Sequence, residues 1–175
     1  LTLVGEEQHL PYDRPPLSKT MLSSEQDPGD LTLVSDSELA ELNLNLILGS
    51  PATRLDTAAR AVTVGDEKIF YDGLIIATGA RARKLLKTDD MGGIHTLRTI
   101  EDSLAIRSAL HSSSSVVIVG AGFIGSEVAA AARHHECEVS IIEAGEAPLM
   151  RGLGHEVGSA CGQLHESHGV KLRVG

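Results

Sequence analysis

Short apolar runs separated by turn residues dominate the first half of the chain. Runs of four or five apolar residues are typical of buried or half-buried strands. They occupy residues 1–4, 44–48, 61–64, 68–71 and 74–78. Residues 10–17 contain three prolines, which disfavour a helix or a central strand and so predict a loop. One short helix is predicted at residues 36–42, with Asp36 or Ser37 as its N-cap.

The second half of the chain alternates strands with helices. A helix is predicted at residues 100–110, because the acidic Glu101 and Asp102 suit the first turn of a helix. The elements that follow are a polar linker at 112–115, strands at 116–119, 139–142 and 170–174, and helices at 126–134 and 156–168. This alternation predicts a parallel α/β sheet.

The strongest chemical signal is a GxGxxG sequence at residues 120–125, directly after a predicted strand and at the start of a helix. In a dinucleotide site, Gly120 permits the tight turn, Gly122 lets the backbone approach a pyrophosphate, and Gly125 lets the helix pack closely on the strand. The N-terminus of that helix attracts the phosphates. The alternative is a glycine turn in an unrelated α/β protein.

Glu143 completes this predicted site, because it ends the next strand, 18 positions after Gly125. A carboxylate at that position accepts hydrogen bonds from the adenosine ribose hydroxyls. It would repel a 2′-phosphate, and Ala144 and Gly145 provide no positive charge. The sequence therefore favours NAD over NADP.

Glu127 has two interpretations from the residues alone. A carboxylate in the first turn of a helix is stabilised by the helix dipole. It would also repel a phosphate bound at the same terminus, which favours a position past the phosphates, toward the nicotinamide. Both interpretations stay open at this point.

Composition narrows the class of protein. The net charge is −9 and aromatic residues are 2% of the chain, which argues against a nucleic-acid partner. No apolar stretch is long enough to span a membrane, and a cytoplasmic location is the default expectation. Cys137 and Cys161 form no CxxC motif and are predicted to be plain thiols. His134, His135 and Cys137 lack an evident fourth ligand, so no metal is predicted.

Four segments in order resemble one known family. They are PYDRPPLSK at residues 11–19, LIIATG at 74–79, HTLRTIED at 95–102 and the glycine sequence at 120–125. The chain resembles FAD-dependent pyridine nucleotide oxidoreductases of the ferredoxin, rubredoxin and putidaredoxin reductase type, over essentially its whole length. The resemblance implies two incomplete Rossmann-like nucleotide-binding domains with a small β-meander insertion. Residues 1–100 would be a partial FAD-binding domain and residues 101–175 a partial NAD-binding domain.

The resemblance also implies roles for individual residues. Lys19 would lie near the flavin ring and Glu127 near the nicotinamide, and these two are the flavin-side candidates for a catalytic role. The residues implied for FAD are Glu6, Arg14, Pro15, Lys19, Ala52, Ala77, Thr78, Gly79 and Arg98. Those implied for NAD are Gly120, Gly122, Phe123, Ile124, Gly125, Glu127, Glu143 and Arg151.

The implied activity is hydride transfer from NADH to FAD, followed by electron delivery to a ferredoxin-type iron–sulfur protein. The glycine sequence of the FAD domain would precede Leu1, so we expect a fragment that binds FAD weakly or not at all by itself. One alternative is a non-catalytic dinucleotide-binding fragment. Another is a flavin-dependent disulfide reductase or oxidase on the same scaffold, which the absence of cysteine from residues 7–35 disfavours. The basic residues Arg81, Arg83, Lys84 and Lys87 form either a solvated face or part of a ferredoxin docking patch.

Overall fold

The computed structural model describes residues 1–88 and 90–175. In chain order its strands and α-helices are β1 (Thr2–Val4), α1 (Thr20–Ser23), α2 (Asp36–Leu42), β2 (Asn45–Ile47), β3 (Ala52–Asp56), β4 (Ala61–Val64), β5 (Glu67–Phe70), α3 (Ile100–Ser112), β6 (Ser115–Val119), α4 (Phe123–His134), β7 (Glu138–Glu143), α5 (Met150–Ser167) and β8 (Val170–Val174). Two 3₁₀ turns lie at Pro15–Ser18 and Pro28–Leu31. The helices and strands pack into two compact units.

The first unit consists of Leu1–Asp13 and Leu31–Ala80. In it β1 pairs with β2 in parallel, and β3, β4 and β5 form an antiparallel meander. The meander is the predicted β insertion, although the sequence pattern missed its first strand, β3. The predicted strand at residues 74–78 is wrong, because these residues are described and form no strand. Ile75 and Ile76 are 89% and 67% exposed, and apolar side chains alone do not make a strand without a paired backbone.

The second unit consists of Arg14–Asp30 and Arg81–Gly175. Its strands β6, β7 and β8 form a parallel sheet in chain order, which confirms the predicted α/β architecture. Helix α4 packs on β6 and β7, α5 packs on β8, and α3 packs on α1. The core includes Leu22, Ile106, Leu110, Ala129, Ala132, Val139, Ile141 and Val170.

Residues 14–30 pack with the second unit although they lie far from most of it in sequence. Leu22 is completely buried in the core of that unit. The Ser103 hydroxyl on α3 donates to the Leu17 carbonyl at 2.7 Å, and Arg107 Nη1 donates to the Ser24 and Gln26 carbonyls, each at 3.1 Å. The two compact units therefore differ from the predicted division at residue 100, because residues 14–30 and 81–100 belong to the second unit. Which residues form the FAD and NAD domains stays a prediction.

Local hydrogen bonding moves several predicted helix boundaries. The N-cap of α2 is Ser35, not Asp36 or Ser37, because Ser35 and Glu38 form a reciprocal capping box. Residues 10–17, predicted as a loop, contain the start of a 3₁₀ turn, since proline is tolerated at the first turn of a helix. The helix predicted at 156–168 begins earlier, at Met150, and is interrupted at Gly154, whose φ is 77°.

Candidate nucleotide site

The glycine turn between β6 and α4 has the backbone geometry that a pyrophosphate site needs. Gly120 has a φ of 101°, which favours glycine. A Cβ at Gly122 would meet nothing within 4 Å, so the backbone there is open to a ligand. A Cβ at Gly125 would lie 2.1 Å from the Gly120 carbonyl oxygen. Gly120 therefore forms the tight turn, Gly122 leaves open space in front of the backbone, and Gly125 allows the helix to pack closely on the turn. The spacing of the glycines predicts this geometry.

Helix α4 begins at Phe123, three residues before the predicted start, with Gly122 as its N-cap. The Ser126 N–H donates to the Gly122 carbonyl at 2.9 Å, so the N–H groups of residues 123–125 precede the regular helical ladder. These N–H groups and the positive end of the helix dipole suit an anion. The helix therefore presents its N-terminus at the open part of the turn.

Glu143 faces the glycine turn from the end of β7. Its Oε2 accepts from the Ala121 N–H at 2.7 Å, and its Oε1 accepts from the Gly145 N–H at 2.8 Å. The two hydrogen bonds hold the pKa of Glu143 below its ordinary value, and the one from Ala121 contributes most. The positive charge of Arg151 also lowers this pKa. The carboxylate is consequently ionised and fixed at the position predicted for a ribose ligand.

The lowered pKa of Glu143 predicts a pH-dependent contribution to stability. A carboxylate with a folded-state pKa below its unfolded value stabilises the fold above the unfolded pKa of about 4.3, and this stabilisation disappears as the pH falls through the folded-state pKa. Urea titrations of the wild type and Glu143→Gln should give unfolding free energies whose difference is largest at neutral pH and shrinks below pH 4. A difference that is constant down to pH 3 would contradict this assignment.

Phe123, Ile124 and Arg151 lie around the turn, in the same unit. Phe123 and Ile124 are each more than half exposed at the start of α4. The Phe123 ring lies over Gly152, where an added Cβ would come within 2.9 Å of the ring. Arg151 is exposed in the first turn of α5, and its charge acts on Glu143. Their contacts with NAD stay predictions.

The structure brings the two flavin-side candidates together. Lys19 Nζ lies 3.0 Å from Glu127 Oε1, with the side chains 49% and 30% exposed. The Ser18 hydroxyl donates to Glu127 Oε2. Glu127 therefore faces residues 18–19, and its proposed place near the nicotinamide stays a prediction.

Two further predicted FAD residues meet in the second unit. Arg14 Nη1 donates to the Arg98 carbonyl at 2.8 Å, and the Arg98 N–H donates to Asp102 Oδ2 at 2.7 Å. Pro15 starts the 3₁₀ turn that leads to Lys19. Arg14 is thus tied to the segment just before α3, whose N-cap is Thr99.

The other predicted FAD residues lie in the first unit. Glu6 is an exposed residue shortly after β1, and Ala52 begins β3. Ala77, Thr78 and Gly79 form an exposed irregular segment, in which Gly79 has a φ of 65°. The contacts of these five residues with FAD stay predictions.

Ser18 contacts the candidate residue Glu127, and the sequence did not single it out. Its side chain is buried and hydrogen-bonded to Glu127. The available signal was its position beside Lys19 in the PYDRPPLSK segment. Serine is common in turns for many reasons, so the residue type alone did not indicate a role.

The family model for pyridine nucleotide-disulphide oxidoreductases matches residues 1–175. The chain belongs to this family. It is 41% identical to rhodocoxin reductase of Rhodococcus erythropolis, over 99% of the chain and 41% of that protein. It is 42% identical to the ferredoxin–NAD(+) reductase component of the biphenyl dioxygenase system of Paraburkholderia xenovorans (strain LB400), over 97% of the chain and 42% of that protein.

A solved structure agrees with these relatives. The ferredoxin reductase for the CYP199A2 system from Rhodopseudomonas palustris superposes with a TM-score of 0.95 at 33% identity, covering 100% of the chain and 44% of that protein. The predicted fold class and the resemblance to ferredoxin reductases are confirmed. The chain spans about two fifths of the length of the curated relatives it matches. Among the described residues, no helix combines the length and the apolar character needed to cross a membrane.

Proposed function

We propose that this chain carries the NADH site and part of the FAD site of a flavoprotein reductase that transfers hydride from NADH to FAD. Electrons then pass to a ferredoxin-type iron–sulfur protein. The observation that carries the proposal is the ion pair of Lys19 and Glu127. It joins the PYDRPPLSK segment to the helix that follows the glycine turn, so the residues proposed for the flavin ring and for the nicotinamide are in contact.

The residues present fit both nucleotides. The space in front of Gly122 and the ionised Glu143 suit the pyrophosphate and the ribose of NADH. Lys19 is half-exposed despite its ion pair, so its charge remains accessible to a flavin ring. FAD, when bound, supplies the change from two-electron to one-electron chemistry. The residues proposed to hold it remain Glu6, Arg14, Pro15, Lys19, Ala52, Ala77, Thr78, Gly79 and Arg98.

The chain's own residues would bind and orient the reactants. The glycine turn and the α4 N-terminus would hold the phosphates of NADH, and Glu143 would set the adenosine ribose. Lys19 would favour the electron-rich reduced flavin by its positive charge. Glu127 would stand at the nicotinamide end, where Lys19 balances its negative charge.

A disulfide reductase is the main enzymatic alternative, because the family of pyridine nucleotide-disulphide oxidoreductases is named for that activity. Such an enzyme needs a cysteine pair close to the flavin. Cys137 is buried and donates to the Ser113 carbonyl at 3.2 Å, and Cys161 lies on α5, remote from residues 14–30 in sequence. Neither belongs to the PYDRPPLSK segment, so the positions of the thiols favour electron transfer over disulfide reduction.

Replacing Lys19 with methionine tests the proposal. We expect NADH-dependent reduction of a dye acceptor, measured with added FAD, to slow at least about tenfold, because the positive charge beside the flavin is lost. The NADH dissociation constant should change little. Lys171→Met is the matched control, since Lys171 pairs with Glu138 at 3.3 Å on the surface. NADH binding without dye reduction, in the wild type as well, would support the non-catalytic alternative.

The partner and location are part of the same proposal. A ferredoxin-type acceptor is proposed from the name of the biphenyl dioxygenase relative. The exposed basic residues Arg81, Arg83, Lys84 and Lys87 stay candidates for its docking patch. The cytoplasmic location stays a prediction.

A further inference from the structure

Both carboxylate oxygens of Glu127 have separate partners, and one of these partners has no assigned role. Lys19 Nζ lies 3.0 Å from Oε1, and the Ser18 hydroxyl donates to Oε2. We propose that Ser18 is a positioning residue that fixes the Glu127 carboxylate for the nicotinamide end of bound NADH. This inference rests on the proposed function, since it assigns Glu127 to the nicotinamide.

The Ser18 hydroxyl is delivered from a rigid turn. Ser18 is the last residue of the 3₁₀ turn that begins with Pro15 and Pro16, whose rings restrict the backbone. The Leu17 carbonyl accepts from the buried Ser103 hydroxyl at 2.7 Å, and the Lys19 N–H donates to the Pro16 carbonyl at 3.0 Å. The backbone on both sides of Ser18 is thus anchored.

Lys19 alone does not define the orientation of Glu127. Its side chain is 49% exposed, and a lysine has a flexible four-carbon stem with three rotatable donors. The terminal torsion of a glutamate is also broad. Lys19 Nζ also donates to the Pro15 carbonyl at 3.3 Å, so its ammonium is shared between two acceptors. Ser18 is only 5% exposed, and its short side chain and fixed backbone restrict the carboxylate more tightly than the half-exposed lysine does.

The fixed orientation matters because of where Glu127 lies on α4. It follows Gly125 by two positions, close to the helix end that is suited to phosphate. A carboxylate that turned toward this end would repel the phosphates. Held by Ser18 and Lys19, it faces the PYDRPPLSK segment and can accept a hydrogen bond from a donor such as the nicotinamide carboxamide.

Comparing NADH with ADP-ribose separates positioning from general structure. ADP-ribose retains the pyrophosphate and adenosine of NADH but lacks the nicotinamide. We expect Ser18→Ala to weaken NADH binding roughly tenfold, the scale of one hydrogen bond to a charged group, and to leave ADP-ribose binding unchanged. In a Glu127→Ala background, Ser18→Ala should have no further effect on NADH. Calorimetric titration of the purified chain measures both dissociation constants.

Ser24→Ala is the matched control. It removes an exposed hydroxyl of the same segment that donates to the Thr20 carbonyl at 2.7 Å and does not contact Glu127, so NADH binding should be retained. Equal losses of NADH and ADP-ribose affinity in Ser18→Ala, or the same NADH loss in Ser24→Ala, would overturn the role of Ser18.

A double-mutant cycle without ligand distinguishes this inference from the proposed function. The unfolding free energies of Ser18→Ala, Glu127→Ala and the double variant should be non-additive. The Ser24→Ala and Glu127→Ala cycle should be additive, because the Ser24 hydroxyl bonds to the Thr20 carbonyl and not to Glu127. Additivity in the first cycle would overturn the Ser18–Glu127 contact whatever the chain binds. If the first cycle is non-additive but the wild type binds neither NADH nor ADP-ribose, the contact stands. The proposed function is then rejected, and the nicotinamide role of Glu127 with it.

Discussion

Gly125→Ala is expected to abolish NADH binding and to destabilise the protein by about 1–3 kcal/mol, the usual cost of forced overpacking. The added Cβ would lie 2.1 Å from the Gly120 carbonyl oxygen and 3.3 Å from the Ile118 side chain. The first contact is with backbone, so a side-chain rotation cannot relieve it. The α4 N-terminus must then move away from β6, and the turn opens. Chemical denaturation and calorimetric NADH titration measure the two effects.

Gly122→Ala is the control for this prediction, because it separates the ligand from the fold. Its Cβ would meet nothing within 4 Å, and its φ of −77° is one that alanine adopts readily. The variant should keep nearly the stability of the wild type and still bind NADH poorly, because the methyl group occupies the space left for the pyrophosphate. Full NADH affinity in Gly122→Ala would show that the open side of the turn is not the nucleotide site.

The second large effect is expected from Glu143→Ala. The variant loses the proposed hydrogen bonds to the ribose, and each hydrogen bond to a charged group contributes about 1.5–3 kcal/mol. It also leaves the Ala121 and Gly145 N–H groups without their carboxylate partner. We therefore expect the NADH dissociation constant to rise by roughly ten- to a hundredfold, measured by calorimetric titration.

Glu146→Ala provides the comparison for Glu143→Ala. Glu146 is an exposed carboxylate three positions further along the same segment, so its removal changes the net charge equally without touching the glycine turn. Its NADH affinity should match that of the wild type. An unchanged affinity in Glu143→Ala, or an equal loss in both variants, would remove Glu143 from the ribose site.

The geometry of the glycine turn was predictable from the sequence because its requirements are local. Within six residues the backbone needs a positive φ, an open side and a close contact, and glycines at 120, 122 and 125 provide these. Glu143 ends the next strand of the sheet. The strand–helix alternation also predicted the parallel sheet. The error at residues 74–78 has the opposite cause, since a strand depends on a backbone partner that an apolar run does not specify.

The arrangement around Glu127 was not accessible in the same way. Ser18 and Glu127 are 109 positions apart, and no local pattern relates them. The resemblance implied that Lys19 lies near the flavin ring and Glu127 near the nicotinamide. It did not imply a contact for Ser18. The Ser35 cap was missed because residues 35, 36 and 37 are all of types that favour the N-cap. The reciprocal hydrogen bonds between Ser35 and Glu38 decide among them.

The packing of residues 14–30 with the second unit bears on how such proteins exchange parts during evolution. Leu22 fills the core beside α3 and α4, and Ser103 and Arg107 bind the carbonyls of the same stretch. A single genetic crossover near residue 80 would transfer the glycine turn to a new gene without residues 14–30, which pack with it in the same unit. A chimera with its crossover there would pack the core beside α3 and α4 against another parent's segment, unless residues 14–30 were exchanged together with the second half of the chain.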